Sequence, residues 1–201
     1  MMKLKKLLLR GTPSFLIPLG AGFVMASSAD IRAALGMGGA VIVILLLTSI
    51  VVSAIKNIVP NRAKVPTYIL IVTGFTSLVN MFMSAYFPNV VDMLGVHLAC
   101  LAVSAVNFRE ANEVACMEKE GTSIISALLT GAFFLVIMVV CALFREVLGN
   151  GSFFGLKIEF LQDYKIQTLV GAFGGYLVLA IVLAVIRKIG EKFEAQEEVV
   201  E

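Results

Sequence analysis

The segment Met93-Leu-Gly-Val-His-Leu-Ala-Cys-Leu-Ala-Val-Ser-Ala-Val-Asn-Phe-Arg-Glu-Ala-Asn-Glu-Val-Ala-Cys116 begins as an apolar run and ends as a charged helix. His97, Cys100, Ser104 and Asn107 fall inside its apolar part. Hydrocarbon offers polar groups no hydrogen-bond partners, so such groups face the interior of a helix bundle or line a site. The rest of the chain decides what kind of bundle this is.

Working outward, the 201 residues are 59% hydrophobic and only 15% charged, with a mean hydropathy of +0.97. A soluble domain carries roughly a quarter charged residues. Several apolar runs here approach the ~20 residues needed to cross a bilayer. The composition predicts an all-α, polytopic membrane protein: one domain over 1–192 and an acidic cytoplasmic tail over 193–201. That leaves no room for a separate soluble catalytic module.

The basic residues are scattered in short loops, so the net charge of +2 implies no nucleic acid; the lipid bilayer is the main surface the chain meets. Cys100, Cys116 and Cys141 are an odd number without the spacing of a disulfide framework or zinc site. There is no phosphate-cradling glycine loop and no nucleophile–base pattern. Only Asp92, at an edge, puts a carboxylate in an expected span. A stand-alone proton- or sodium-driven carrier usually shows one nearer the midplane.

Six spans follow from the apolar runs, at about 13–28, 35–55, 66–86, 90–108, 121–144 and 166–188. The first is short and interrupted by Pro18, Gly20 and Gly22; its Ala26-Ser-Ser-Ala29 also resembles a signal-peptide cleavage site, but Arg10 and Pro13 fit a retained span better. Gly36, Gly38 and Gly39 open the second span with a surface suited to close helix packing. Asn80 in the third span is expected to hydrogen-bond a neighbouring helix, and Met81, Met83 and Met93 to pack. Arg145 and Glu146 read as an ordinary charge pair at a span end, with an interfacial pair or a partner contact as the alternatives, followed by a turn-rich Leu148–Gly155 loop whose Gly and Asn suit positive φ.

Lysine and arginine counts set the orientation. One side collects Lys3, Lys5, Lys6, Arg10, Lys56, Arg62, Lys64, Arg109, Lys119, Arg187, Lys188 and Lys192, or twelve; the other has Arg32, Arg145, Lys157 and Lys165, or four. Twelve against four places both termini in the cytoplasm. Spans 1–3 and 4–6 then enter from opposite sides, the arithmetic of two inverted three-helix repeats. Each half opens with a weak span carrying Leu-Gly, Leu19-Gly20 and Leu94-Gly95. The pattern predicts that spans 1 and 4 are broken or half-length and meet near the midplane.

The run Val65-Pro-Thr-Tyr-Ile-Leu-Ile-Val-Thr, then Ala85-Tyr-Phe-Pro, Leu94-Gly-Val and Arg145-Glu-Val-Leu-Gly-Asn-Gly-Ser-Phe-Phe-Gly155 resembles one membrane-protein family. It is similar to the E subunit of the Rnf complex and to the D subunit of the sodium-pumping NADH:quinone reductase, and more distantly to the Rnf A subunit. The resemblance covers roughly residues 13–155. It implies an integral membrane subunit, non-catalytic alone, of a redox-driven ion-translocating oxidoreductase. Its expected partners are a paralogous six-span subunit and subunits bearing flavin and iron–sulfur groups, with which it frames an electron and cation path.

The resemblance also implies an intramembrane iron centre held by cysteines of spans 1 and 4 from both paralogues, thiolates being the usual ligands of iron–sulfur clusters. The family's span-1 motif is Leu-Gly-x-Cys-Pro; here it reads Leu19-Gly-Ala-Gly22-Phe23. The family's span-4 Asn-Cys falls on Ser104-Ala105, or on Val103-Ser104 with a one-residue gap. Gly22 and Ser104 therefore stand where ligand cysteines are expected, and neither replaces a thiolate.

Cys100 lies one turn earlier than Ser104, with His97 three residues before it on the same helix face. Two readings stay open: His97 and Cys100 contact a metal, haem or flavin at a partner interface, or His97 bonds a neighbouring carbonyl while Cys100 packs. Arg109 and Glu113 follow span 4 where the family has an Arg-x-Glu element, and read either as a partner contact or as a solvated helix face. A small transporter or channel on the same repeat, and a purely structural assembly protein, are the alternative functions.

Overall fold

The computed structural model describes residues 30–104, 107, 120–153, 156–157, 171, 173–182, 184–185 and 188. Three helices in it are long and apolar enough to cross a membrane: α1 (Ile31–Ile55), α2 (Lys64–Tyr86) and α5 (Glu120–Arg145, apolar from Ser123). β-branched residues crowd α1, yet a helix is the form in which a single segment satisfies all its own backbone groups in hydrocarbon.

A 3₁₀ turn over Asn61–Ala63 leads into α2, and Pro66 sits in its first turn, where a missing N–H costs nothing. Four of the α2 hydroxyls are satisfied locally. Thr67, Thr73, Thr76 and Ser84 donate to the carbonyls of Ala63, Ile69, Val72 and Asn80 at 2.7–2.8 Å. The helix stops at Phe87, pushed out of the helical region by Pro88 (φ −133°).

Residues 88–104 depart from a single membrane helix. Pro88 opens α3 (Pro88–Leu94), Gly95 breaks it at φ 53° and ψ −134°, and α4 (Val96–Cys100) runs into a 3₁₀ turn, Leu101–Val103. This run therefore holds two short helices and a turn, a break of the kind the sequence predicts for the weak span over 90–108. The first span and residues 166–170 of the sixth lie outside the described residues. Of the sixth, Phe173–Val182 form α6.

α1 and α5 run antiparallel at the centre of the molecule. The Cβ of a side chain at Gly38 would lie 2.8 Å from Leu135 Cγ, and one at Gly131 would lie 2.8 Å from Ile42 Cγ1. The contact is reciprocal: each glycine admits a branched side chain that stands one helical turn beyond the opposite glycine. Lipid gives helices no hydrophobic drive to associate, so such close backbone approach supplies much of the packing energy. Gly36 receives Val90 of α3 in the same way. Around this seam Met37, Ile44, Leu94, Leu98, Leu101 and Met138 form a continuous buried core. A smaller cluster of Val52, Tyr68 and Val72 joins α1 to α2.

After α5 the chain tightens into a π-helical turn, Glu146–Asn150, ended by Gly151 in the left-handed region at φ 60°. A two-residue hairpin follows, β1 (Ser152–Phe153) with β2 (Leu156–Lys157), pairing Ser152 with Lys157. The molecule is otherwise all-α among the described residues. The turn-rich reading of this loop holds, with Gly151 taking the positive φ.

Candidate functional site

The broken segment carries the polar residues singled out in the sequence. At Gly95 the helical ladder is interrupted, and the His97 ring reaches back across the break, its Nδ1 lying 3.1 Å from the Leu94 carbonyl oxygen. A carbonyl only accepts, so Nδ1 is the donor in this contact and Nε2 is the nitrogen left free of it. His97 is exposed and Cys100 is an exposed free thiol one turn on. Leu98 and Leu101 take the buried side of this stretch.

Ser104 is buried, 3% exposed, and ends the 3₁₀ turn with its N–H donating to the Leu101 carbonyl at 3.0 Å. Asn107 is fully buried; its Nδ2 donates to the same carbonyl at 2.8 Å, and its Oδ1 has no partner among the described residues. The Leu101 carbonyl, freed by the loss of regular helix, therefore collects two donors. Thr48 Oγ1 and Ser49 Oγ of α1 are likewise buried without a hydrogen-bond partner among the described residues. Gly22, Arg109 and Glu113 lie outside them.

The iron centre implied by the family resemblance does not fit the residues seen. Ser104 offers a buried hydroxyl in place of a thiolate, and no group of three or more His, Cys, Asp or Glu side chains is assembled among the described residues.

A second polar arrangement, where α5 ends beside the start of α1, departs from the sequence expectation. Arg145 and Glu146, expected to be an ordinary charge pair at a span end, are 3% and 0% exposed. The Glu146 carboxylate accepts the backbone N–H of Ile31 at 2.8 Å, across 115 residues of sequence. Asp30 occupies the N-cap of α1 but makes no side-chain cap bond. Glu146 takes that role, and its negative charge lies at the positive end of the helix dipole. Burial, then the nearby Glu146 charge, raise the Asp30 carboxyl above its usual range, with Arg32 pulling the other way. The sequence signal was a helix start at Asp30 and a carboxylate at the end of an antiparallel span; only the pairing of those two ends connects them.

A family model described as "Rnf-Nqr subunit, membrane protein" matches residues 2–187. A relative from Acetobacterium woodii, the E subunit of a Na(+)-translocating ferredoxin:NAD(+) oxidoreductase complex, is 24% identical over 92% of this chain and 95% of its own. The E subunit of a proton-translocating ferredoxin:NAD(+) oxidoreductase complex from Clostridium ljungdahlii is 25% identical over 94% of this chain and 89% of its own. The E subunit of an ion-translocating oxidoreductase complex from Methanosarcina acetivorans is 25% identical, covering 88% and 85%. With three helices of membrane-spanning length and a family match over nearly its whole length, the chain is a multi-pass membrane protein of the Rnf-Nqr subunit family.

Proposed function

We propose that this chain is an integral membrane subunit of an Rnf/Nqr-like ion-translocating oxidoreductase, comparable to the E subunits among its relatives. The observation that carries the reading is the family match over residues 2–187, joined by E-subunit relatives aligned over almost their full lengths. The broken α3–α4 segment between continuous helices supports it. Irregular backbone at membrane depth is tolerated where it is buried in protein or lines a cavity, and that is where translocation paths run.

In this proposal residues 1–192 form one domain of six spans in two inverted repeats, followed by the tail 193–201. Both termini lie in the cytoplasm of a prokaryotic inner membrane, as the twelve-to-four count of basic residues favours. The antiparallel α1–α5 pair, with its reciprocal glycine contacts, is what equivalent spans of inverted repeats would give. A paralogous six-span subunit completes the path, with flavin- and iron–sulfur-bearing subunits beside it. Arg109 and Glu113 are proposed as a docking contact. Gly22 and Ser104 mark the place of the family's ligand cysteines, while His97 and Cys100 offer an imidazole nitrogen and a thiol to a redox group held at the paralogue interface.

The test is purification in mild detergent, with copurifying subunits identified and iron, haem and flavin assayed. Redox subunits recovered in stoichiometric amounts are expected. Recovery of the chain alone, still transporting a solute, would favour a small transporter instead.

A further inference from the structure

Two parts of the described structure are held very differently. α1 and α5 are tied at one end by the Glu146 carboxylate on the Ile31 N–H and at mid-length by the reciprocal contacts of Gly38 with Leu135 and Gly131 with Ile42. Parting these helices at the Glu146 end would break a buried hydrogen bond between them. Sliding them would drive branched side chains into the opposite backbone.

The α3–α4 segment is held by buried side chains rather than by continuous helix. Helices of seven and five residues hold themselves poorly, and they are joined by Gly95 at a φ, ψ combination open to glycine alone. A 3₁₀ turn continues the segment, and its buried apolar anchors are Leu94, Leu98 and Leu101. Met93, Val96, His97 and Cys100 are exposed. Val90 bears on α1 at Gly36, where no Cβ stands in its way. Interrupted helical bonding is a mark of a region that opens before the rest.

We propose that α1 and α5 are the rigid frame of this subunit, latched by Glu146, and that α3–α4 pivots at Gly95 against Gly36 of that frame during turnover. The proposal rests on the reading of the chain as part of a translocating complex, because turnover is what would use the pivot.

Two disulfides separate the parts. A Cβ at Gly36 lies 3.7 Å from Val90 Cβ, and one at Gly131 lies 3.4 Å from Ile42 Cβ. Disulfides prefer Cβ separations of about 3.5–4.5 Å, so both pairs suit a bridge. Each double variant also removes the branched side chain that the new Cβ would strike. In the assembled complex, with Cys116 and Cys141 replaced by alanine and Cys100 retained, oxidised Gly36→Cys/Val90→Cys should lose redox-driven ion uptake about tenfold in membrane vesicles, restored by reductant. Oxidised Gly131→Cys/Ile42→Cys should stay within about twofold of its reduced form. Equal loss from both bridges, or no loss from the first, overturns the proposal.

Hydrogen exchange on the unmodified complex is the second measurement. Amides of 88–104 should exchange about a hundredfold faster than those of mid-α1 and mid-α5. Uniform protection overturns the pivot even where vesicles show no uptake at all. Absence of uptake by the unmodified complex counts against the functional reading instead.

Discussion

The Glu146 carboxylate caps the helix that begins at Ile31, accepting its N–H at 2.8 Å in a fully buried setting. One hydrogen bond thus joins the end of one membrane helix to the start of its antiparallel neighbour. Replacing Glu146 with alanine strands that N–H and removes the charge from the helix dipole, a loss of about 2 kcal/mol, or roughly 4–8 °C in Tm for a chain of this size. Glu146→Gln keeps an acceptor and should lose about half as much. Thermal unfolding in detergent measures both, and equal losses would show that hydrogen bonding is not what the carboxylate supplies.

Asp30 makes stability depend on pH. Its folded carboxyl titrates above the value of about 3.9 expected for an unfolded chain. The folded state therefore holds the proton more tightly, and the stability this confers is present below the unfolded value and lost as pH rises through the folded one. Asp30→Asn removes the loss. The Tm of the variant relative to the parent should climb from about pH 4 upward and then level off; a relative Tm that falls with pH contradicts the sign.

The α1–α5 seam predicts unequal glycines. A Cβ at Gly131 meets Ile42 Cγ1 at 2.8 Å and the Ile42 Cα at 3.2 Å, while one at Gly39 meets nothing within 4 Å. Gly131→Ala should cost about 1–3 kcal/mol through overpacking against backbone that cannot move aside. Gly39→Ala should be neutral or slightly stabilising, since alanine is the better helix former. Comparable losses at both positions would show that glycine freedom, not the tight contact, matters there.

Backbone strain at the break is a separate quantity. Gly95 sits at φ 53° and ψ −134° with open space where a Cβ would go. Gly95→Ala therefore costs only the conformational penalty, about 1–3 kcal/mol, or reshapes the break into continuous helix. Circular dichroism distinguishes these: unchanged helicity with a lower Tm indicates strain, and a gain in helicity indicates that the break has closed.

Much of this frame was legible in the chain because membrane helices write themselves as apolar runs. The second, third and fifth spans appear as α1, α2 and α5, with ends shifted by a few residues as caps and prolines dictate. The weakness of the fourth span was legible too, in Gly95 and its polar load, although the two short helices and the 3₁₀ turn were not. What stayed hidden depends on pairing between distant segments. Glu146 looks like any charge at a span end until the start of α1 is placed beside it, and the match of Gly131 to Ile42 needs the antiparallel register. The candidate site is legible as residue types, and its geometry fixes only the orientation of His97.

That orientation makes the last prediction specific. The Leu94 carbonyl holds His97 Nδ1 at 3.1 Å, so any bond to a redox group must come from Nε2, with the exposed Cys100 thiol one turn away. If the pair contacts such a group in the assembled complex, His97→Ala and Cys100→Ala should each lower its stoichiometry or shift its spectrum. His97→Gln, which can still donate to Leu94 but offers no imidazole, should behave like His97→Ala in that assay while keeping more of the parent's thermal stability. Unchanged cofactor content in all three variants, with a Tm loss confined to His97→Ala, would assign His97 to the break alone and leave Cys100 without a ligand role.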